Sequence, residues 1–141
     1  MTYYYKLITD EKLLDEEKKS IRNGIINFNT PYIGSKPDRF SISVRDNSDT
    51  VIGGTIVYAH QSSMYVDVLW VDEKHRGKGL GKKLLLAVED EALKRNIKQS
   101  TLDTFSFQAE EFYLKQGYTK IGVINDYIEG FDRIYLRKNL G

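Results

Sequence analysis

Arg76-Gly77-Lys78-Gly79-Leu80-Gly81 follows an apolar run, Val66 to Val71, and opens a long amphipathic segment. Three glycines at every second position let the backbone fold back with its N–H groups pointing inward, because no Cβ blocks positive φ or the close approach of a ligand. If the chain is helical from about residue 80, the helix's unpaired N–H groups and positive dipole end point at the same spot. Lys74, Arg76, Lys78, Lys82 and Lys83 add positive charge there, although the whole chain carries only +1. The turn suits an anion, and a phosphate or pyrophosphate in particular.

Spacing narrows the ligand. A Walker loop needs a hydroxyl residue after Gly-Lys, and here Lys82 and Lys83 follow Gly81 with none. The dinucleotide fingerprint G-x-G-x-x-G is also missed, because the glycines are spaced two apart and residue 82 is lysine. Taken alone, the turn reads equally well as a strand-to-helix connection that merely uses glycine.

Working outward, Leu80, Leu84, Val88 and Ala92, widened by Leu85, form the apolar stripe of a helix. Glu91 and Arg95 form an i,i+4 pair on its wet side. Met64 to Asp72 reads as a central strand covered on both faces. Residues 98–104 read as its parallel neighbour, reached by a crossover through the helix. Upstream, 40–45 and 51–59 form a hairpin, in which Gly53-Gly54 predicts a bulge or a close backbone neighbour. Further back, Leu14, Ile21, Ile25 and Phe28 repeat at helical spacing after an Asp10 cap. That helix is expected to stop before Pro31, leaving 29–38 as a loop or a short irregular helix. Residues 2–8, rich in tyrosine, read as a first strand. Downstream, Ala109 to Gln116 is a short helix ended by Gly117, and 118–124 with 131–137 make a last antiparallel pair. The order is β α β β β α β α β β.

At 141 residues the chain has room for a single domain, expected to span 1–141. It has no cysteine, hence no disulfide, thiolate metal site or cysteine nucleophile. His60 and His75 are too scattered for a metal site, so none is expected. The near-neutral charge argues against nucleic acid as partner. With no long apolar run and no signal-peptide pattern, the expected location is cytoplasmic, away from the membrane.

The order of elements, with Val71 followed by Arg76-x-x-Gly79-x-Gly81, resembles the GNAT superfamily of acyl-CoA-dependent N-acyltransferases. A second stretch agrees: Ala109, Phe112-Tyr113, Lys115 and Gly117-Tyr118 are similar to a segment of that family, and the resemblance runs from Tyr3 to Leu140. It implies a single mixed α/β sheet of about seven strands, largely antiparallel, with a splayed parallel pair at its centre and helices on both faces. It also implies that Arg76, Gly77, Lys78, Gly79, Leu80, Gly81 and Lys82 hold the pyrophosphate of acetyl-CoA, and that the backbone of Leu69 and Val71 binds the pantetheine arm. Ser106 stands where the family often has an asparagine facing that arm.

Tyr113 matches the family's general acid, a phenol that can protonate the leaving thiolate. In a chain with ten tyrosines an ordinary half-buried helix tyrosine is the competing reading. Asp67 sits four residues before Val71, where many members place a glutamate base that acts through water. Pairing with a hydroxyl, or attraction of a cationic substrate, competes with that role. For the acceptor, Phe28, Tyr32, Tyr58, Phe105 and Tyr127 could wall a pocket, and Asp67, Asp103 or Asp126 could draw an amine; core or dimer packing competes for each aromatic. The implied activity is acetyl transfer from acetyl-CoA to a primary amine of a small molecule or peptide, by direct attack in a ternary complex. The rival reading is an acyl-CoA-binding sensor or interaction module without catalysis. A homodimer is compatible with either.

Overall fold

Asp10 opens the first helix by accepting a hydrogen bond from the Leu13 N–H on its Oδ2 at 3.1 Å. In the computed structural model, which describes residues 1–141, the chain divides into two units, Met1–Lys36 and Pro37–Gly141. The N-terminal unit holds one helix, α1 (Glu11–Ile33), which has no buried residue. Two expectations change here. Residues 2–8 form no strand, and Tyr5 is 100% exposed; β-propensity mostly reflects packing on a pleated surface, and no ladder includes this segment. Helix α1 also runs through Pro31 to a Gly34 cap at φ 94°. A proline in the last turn removes one backbone bond, and Gly34 N–H still reaches the Thr30 carbonyl at 2.8 Å. The expected loop therefore shrinks to residues 34–37.

The C-terminal unit is a six-stranded sheet in the order β1-β2-β3-β4-β6-β5. Its strands are β1 (Asp38–Arg45), β2 (Val51–His60), β3 (Ser63–Val71), β4 (Gln99–Phe105), β5 (Thr119–Ile128) and β6 (Phe131–Asn139). The helices are α2 (Leu80–Lys94) and α3 (Glu110–Lys115). Only β3 and β4 run parallel; every other pairing is antiparallel. Leu85, Val88 and Ala92 of α2 pack with Val57, Met64, Val66, Leu102 and Leu136 in one core cluster. Leu85→Ala would cost about 2–5 kcal/mol by cavity formation. No helix is long and apolar enough to cross a membrane.

Two features of β3 position the site. Its ladder with β4 stops at Val66–Leu102, after which the parallel strands are no longer paired. Against β2, Ile56 pairs with Val68 and Val57 with Val66, so Asp67 is the extra residue of a β-bulge. The bulge shifts the alternation: Leu69 packs against the core while Val68 and Trp70 are 40% and 45% exposed. This part of β3 is thus not covered on both faces as the apolar run suggested, because periodicity cannot register one inserted residue. Gly53 does meet a close neighbour: a Cβ there would lie 2.9 Å from the Trp70 carbonyl oxygen.

Candidate active site

At the end of β3 the chain makes a short 3-10 turn, Glu73–His75, capped by Asp72, and then enters the glycine turn. Gly77 and Gly79 sit at φ 78° and 77°, the left-handed region that favours glycine, and a Cβ on either would project into open space. Gly81 differs: its Cβ would contact the Phe112 ring at 3.7 Å, so it serves the approach of α2 to α3. Helix α2 has no side-chain cap, and its first backbone bond is Lys83 N–H to the Gly79 carbonyl, at 3.1 Å. The earlier N–H groups are left for a ligand, at the positive end of the dipole. Arg76 Nε donates to the Val71 carbonyl at 3.0 Å, tying the turn to the strand.

A groove of about 390 Å³ lies over this turn, lined by Leu69, Trp70, Val71, His75, Arg76, Gly77, Gly79, Leu80, Gly81, Lys82, Ala109, Phe112 and Tyr113. Beside it, where β3 and β4 part, is a cleft of about 300 Å³ whose walls include Asp67, Leu69, Asp103, Thr104, Phe105, Gln108 and Tyr113. Tyr113 lines both spaces. Its helix is held by a paired C-terminal closure, with Tyr118 N–H on the Tyr113 carbonyl and Gly117 N–H on the Leu114 carbonyl, both at 3.1 Å. Burial, helped by the Asp103 charge, pushes the Tyr113 phenol up to about 12. It therefore stays protonated throughout the neutral range.

The cleft is built from side chains. Gln108 Oε1 accepts from Phe105 N–H at 2.7 Å and from Thr104 Oγ1 at 3.1 Å, fixing the entry to α3. Arg133 Nε donates to Asp103 Oδ1 at 3.0 Å, and Nη1 donates to Tyr127 Oη at 2.9 Å. The paired carboxylate raises the Arg133 guanidinium further above its ordinary value. Asp103 is thereby paired with a cation, while Asp67, pushed outward by the bulge, is exposed.

Residues 3–118 match the acetyltransferase (GNAT) family. The chain belongs to that family. It is 32% identical to an acetyltransferase of Agrobacterium fabrum over 124 residues, 87% of this chain and 90% of the relative. A blasticidin-S acetyltransferase of Streptomyces morookaense is 31% identical over 113 residues, 79% of this chain and 83% of the other. A crystal structure of an acetyltransferase from Bacillus cereus superposes with a TM-score of 0.80 at 29% identity, covering 97% of both chains. The protein is thus a GNAT acyltransferase.

In this GNAT enzyme the residues expected at the two sites do not all converge. Leu69, Val71, Arg76, Gly77, Gly79, Leu80, Gly81 and Lys82 share the groove with Tyr113. Lys78 is exposed on the turn and outside the groove lining. Ser106 faces elsewhere: its Oγ accepts from Asp132 N–H at 3.0 Å, bracing the start of β6. Asp67, Asp103 and Phe105 line the cleft, and Tyr127 stacks behind Phe105 with ring centroids 5.9 Å apart. Asp126 closes the β5–β6 turn through Gly130 N–H. Tyr58 stands across from Tyr65 with Arg39 over its ring, outside both spaces. Phe28 and Tyr32 belong to the N-terminal unit, where their rings lie 5.9 Å apart. Trp70, His75, Gln108 and Arg133 were not singled out from sequence. Gln108 directly precedes the second motif and could have been found; Arg133 pairs across thirty positions and carries no local signal.

Proposed function

We propose that the enzyme moves the acetyl group of acetyl-CoA to a primary amine of a small molecule, by direct attack in a ternary complex. The observation that carries the reading is the position of Tyr113 on the common wall of groove and cleft, where the parallel strands separate. The groove fits the donor: backbone N–H groups at an uncapped helix start, two glycines open to a close-lying anion, and Arg76 and Lys82 in the lining. Acetyl-CoA supplies a thioester whose carbonyl carbon takes the amine nitrogen and whose C–S bond breaks. The strand edge at Leu69 to Val71, unpaired towards β4, has backbone groups free to align an extended arm.

Tyr113 is the donor to the departing sulfur. With the phenol at about 12 and a thiol near about 8.5, complete proton transfer runs uphill, so its main work is a hydrogen bond that strengthens as charge builds on sulfur. Asp67 is the uncompensated carboxylate of the cleft; it draws the cationic amine and takes its proton directly or through water. Both units are read as one acetyltransferase domain, since the family match at 3–118 spans them. The acceptor reading leans on the modest cleft and on the relative named for blasticidin-S.

The test is thiol release from acetyl-CoA with a panel of polyamines, aminoglycosides, amino acids and nucleoside amines. Release with at least one amine, lost in Tyr113→Phe while acetyl-CoA still binds, supports the reading. Binding without release across the panel would instead mark an acyl-CoA-binding module.

A further inference from the structure

Tyr113 is aimed by its neighbours. Its phenol feels burial and the Asp103 charge but no hydrogen bond from another side chain, so the rings packed on it set its direction. Phe112 meets it edge-on with centroids 5.2 Å apart, and Tyr118 does so at 5.9 Å with the ring planes at 70°. Tyr118 is also the residue whose N–H closes α3 on the Tyr113 carbonyl. It therefore holds Tyr113 by backbone and by ring.

Tyr118 is in turn pinned at its far end. Its Oη donates to Ser100 Oγ at 2.7 Å, and both residues are at most 3% exposed. Ser100 stands directly across from Lys138 in the β4–β6 ladder. The Lys138 Nζ donates to Glu89 Oε1 at 2.6 Å and lies 5.8 Å from the centre of the Tyr118 ring. Glu89, in the third turn of α2, is 6% exposed, and its Oε2 is buried without a protein partner. Burial, partly offset by the Ser100 bond and reinforced by the Glu89 charge, raises the Tyr118 phenol, so the anchor keeps its proton.

A buried ion pair is a poor source of stability, since apolar residues of like size often serve as well or better. The unpartnered Oε2 adds a further cost that packing alone does not explain. What polar contacts supply is direction: they hold groups at fixed distances and angles where apolar contacts let them slide. These contacts tie Tyr118 to α2, the helix whose start opens onto the groove that Tyr113 also lines. We propose that Glu89, Lys138 and Tyr118 are positioning residues for acetyl transfer: the ion pair fixes Tyr118 against α2, and Tyr118 directs the Tyr113 hydroxyl towards the departing sulfur. The inference rests on the reading of Tyr113 as the donor to that sulfur.

The test is a double-mutant cycle, read as kcat with the amine of the panel that releases thiol fastest and as acetyl-CoA affinity by calorimetry. Glu89→Met with Lys138→Met removes both charges together and should leave the urea midpoint equal or higher. Its kcat should nonetheless fall about tenfold, within the loss that a misplacement of about 1 Å can cause. Tyr118→Phe keeps the ring, loses the anchor and should lower kcat by a similar factor of about ten. Acetyl-CoA affinity should stay within about threefold in both, since none of the three residues lines the groove. Placed on Tyr113→Phe, either change should cost less than about twofold, because residues that act through one group are not additive. If Tyr113→Phe is slow but either variant keeps wild-type kcat, or if the losses are equal with and without the Tyr113 hydroxyl, the proposal is overturned and acetyl transfer stands. No thiol release with any amine, or a Tyr113→Phe enzyme as fast as wild type, overturns the underlying reading and this inference with it.

Discussion

The groove over the glycine turn and the cleft beside it share Tyr113 but are made of different material. The groove is built mainly by backbone: a strand end, two glycines at positive φ and a helix that starts without a side-chain cap. Those features come from one stretch of chain, residues 69–82, and from the two aromatics of α3. The cleft is built by side chains from elements far apart in sequence, with Asp103 held by Arg133 and Thr104 by Gln108. A site made of backbone tolerates changes of side chain, while a side-chain site can be re-tuned at one position at a time. The contrast is between a groove fixed by backbone, proposed for the donor, and a cleft adjustable through its side chains, proposed for the acceptor.

The largest effect is expected where the two meet. Tyr113→Phe should cut acetyl transfer by about 10²–10³-fold, the range for loss of one hydrogen-bond donor aimed at developing charge, while acetyl-CoA affinity measured by calorimetry stays within about threefold, as expected for an interaction made only in the transition state. A parallel loss of affinity would make Tyr113 part of the donor site alone and erase the shared wall. Next in size is the turn. Gly79→Ala places a methyl in the open space above the turn and strains a φ of 77°, so coenzyme A affinity should fall about 10–100-fold, the value of one or two charge-assisted hydrogen bonds. Gly81→Ala, whose methyl meets only the Phe112 ring at 3.7 Å, should change affinity by less than about threefold. Equal losses at the two glycines would mean that packing, and not ligand approach, selects both.

The same contrast explains what could be read from the sequence. The turn, the strand before it and the helix after it were legible because each rests on local spacing, whereas Tyr113 was named only by its place in the family's second motif. The closure at Gly117 was likewise legible from local spacing. Residues 2–8 were misread because composition alone cannot say whether a neighbouring strand exists to pair with. The extension of α1 past Pro31 depended on a cap at Gly34 outweighing one lost bond. On β3, the bulge at Asp67 exposed Val68 and Trp70, which an apolar run presents as buried. Arg133 was invisible because its partner Asp103 is on another strand, and Ser106 was carried to the groove by motif position when its hydroxyl in fact braces β6.

A moderate effect should appear in the cleft. Arg133→Gln leaves Asp103 without its cation, and a second negative charge should then favour dicationic acceptors. The ratio of kcat/KM for a diamine over a monoamine of equal length should rise about tenfold, the value of one charge in a partly wet site. Adding Asp103→Asn should bring the ratio back, while coenzyme A affinity is unmoved in both. If the ratio stays flat, Arg133 is merely a brace for Tyr127, and the cleft is less adjustable than its side chains suggest.

The smallest effect concerns the burial of Tyr113 itself, which is 7% exposed. The folded protein holds its phenolic proton up to about pH 12, whereas an unfolded tyrosine releases it near about 10. Below about pH 10 both states are protonated and stability does not depend on this group. Between about 10 and 12 the unfolded state sheds the proton first, so stability falls as pH rises, by about 2 kcal/mol from this one side chain. Tyr118, raised by burial as well, adds a fall of the same sign and remains in Tyr113→Phe. Urea midpoints from pH 9 to 11.5 should therefore decline in both proteins, less steeply in the variant. Identical slopes would show Tyr113 to be as accessible to water as the cleft around it, and the boundary between the two sites would then be open.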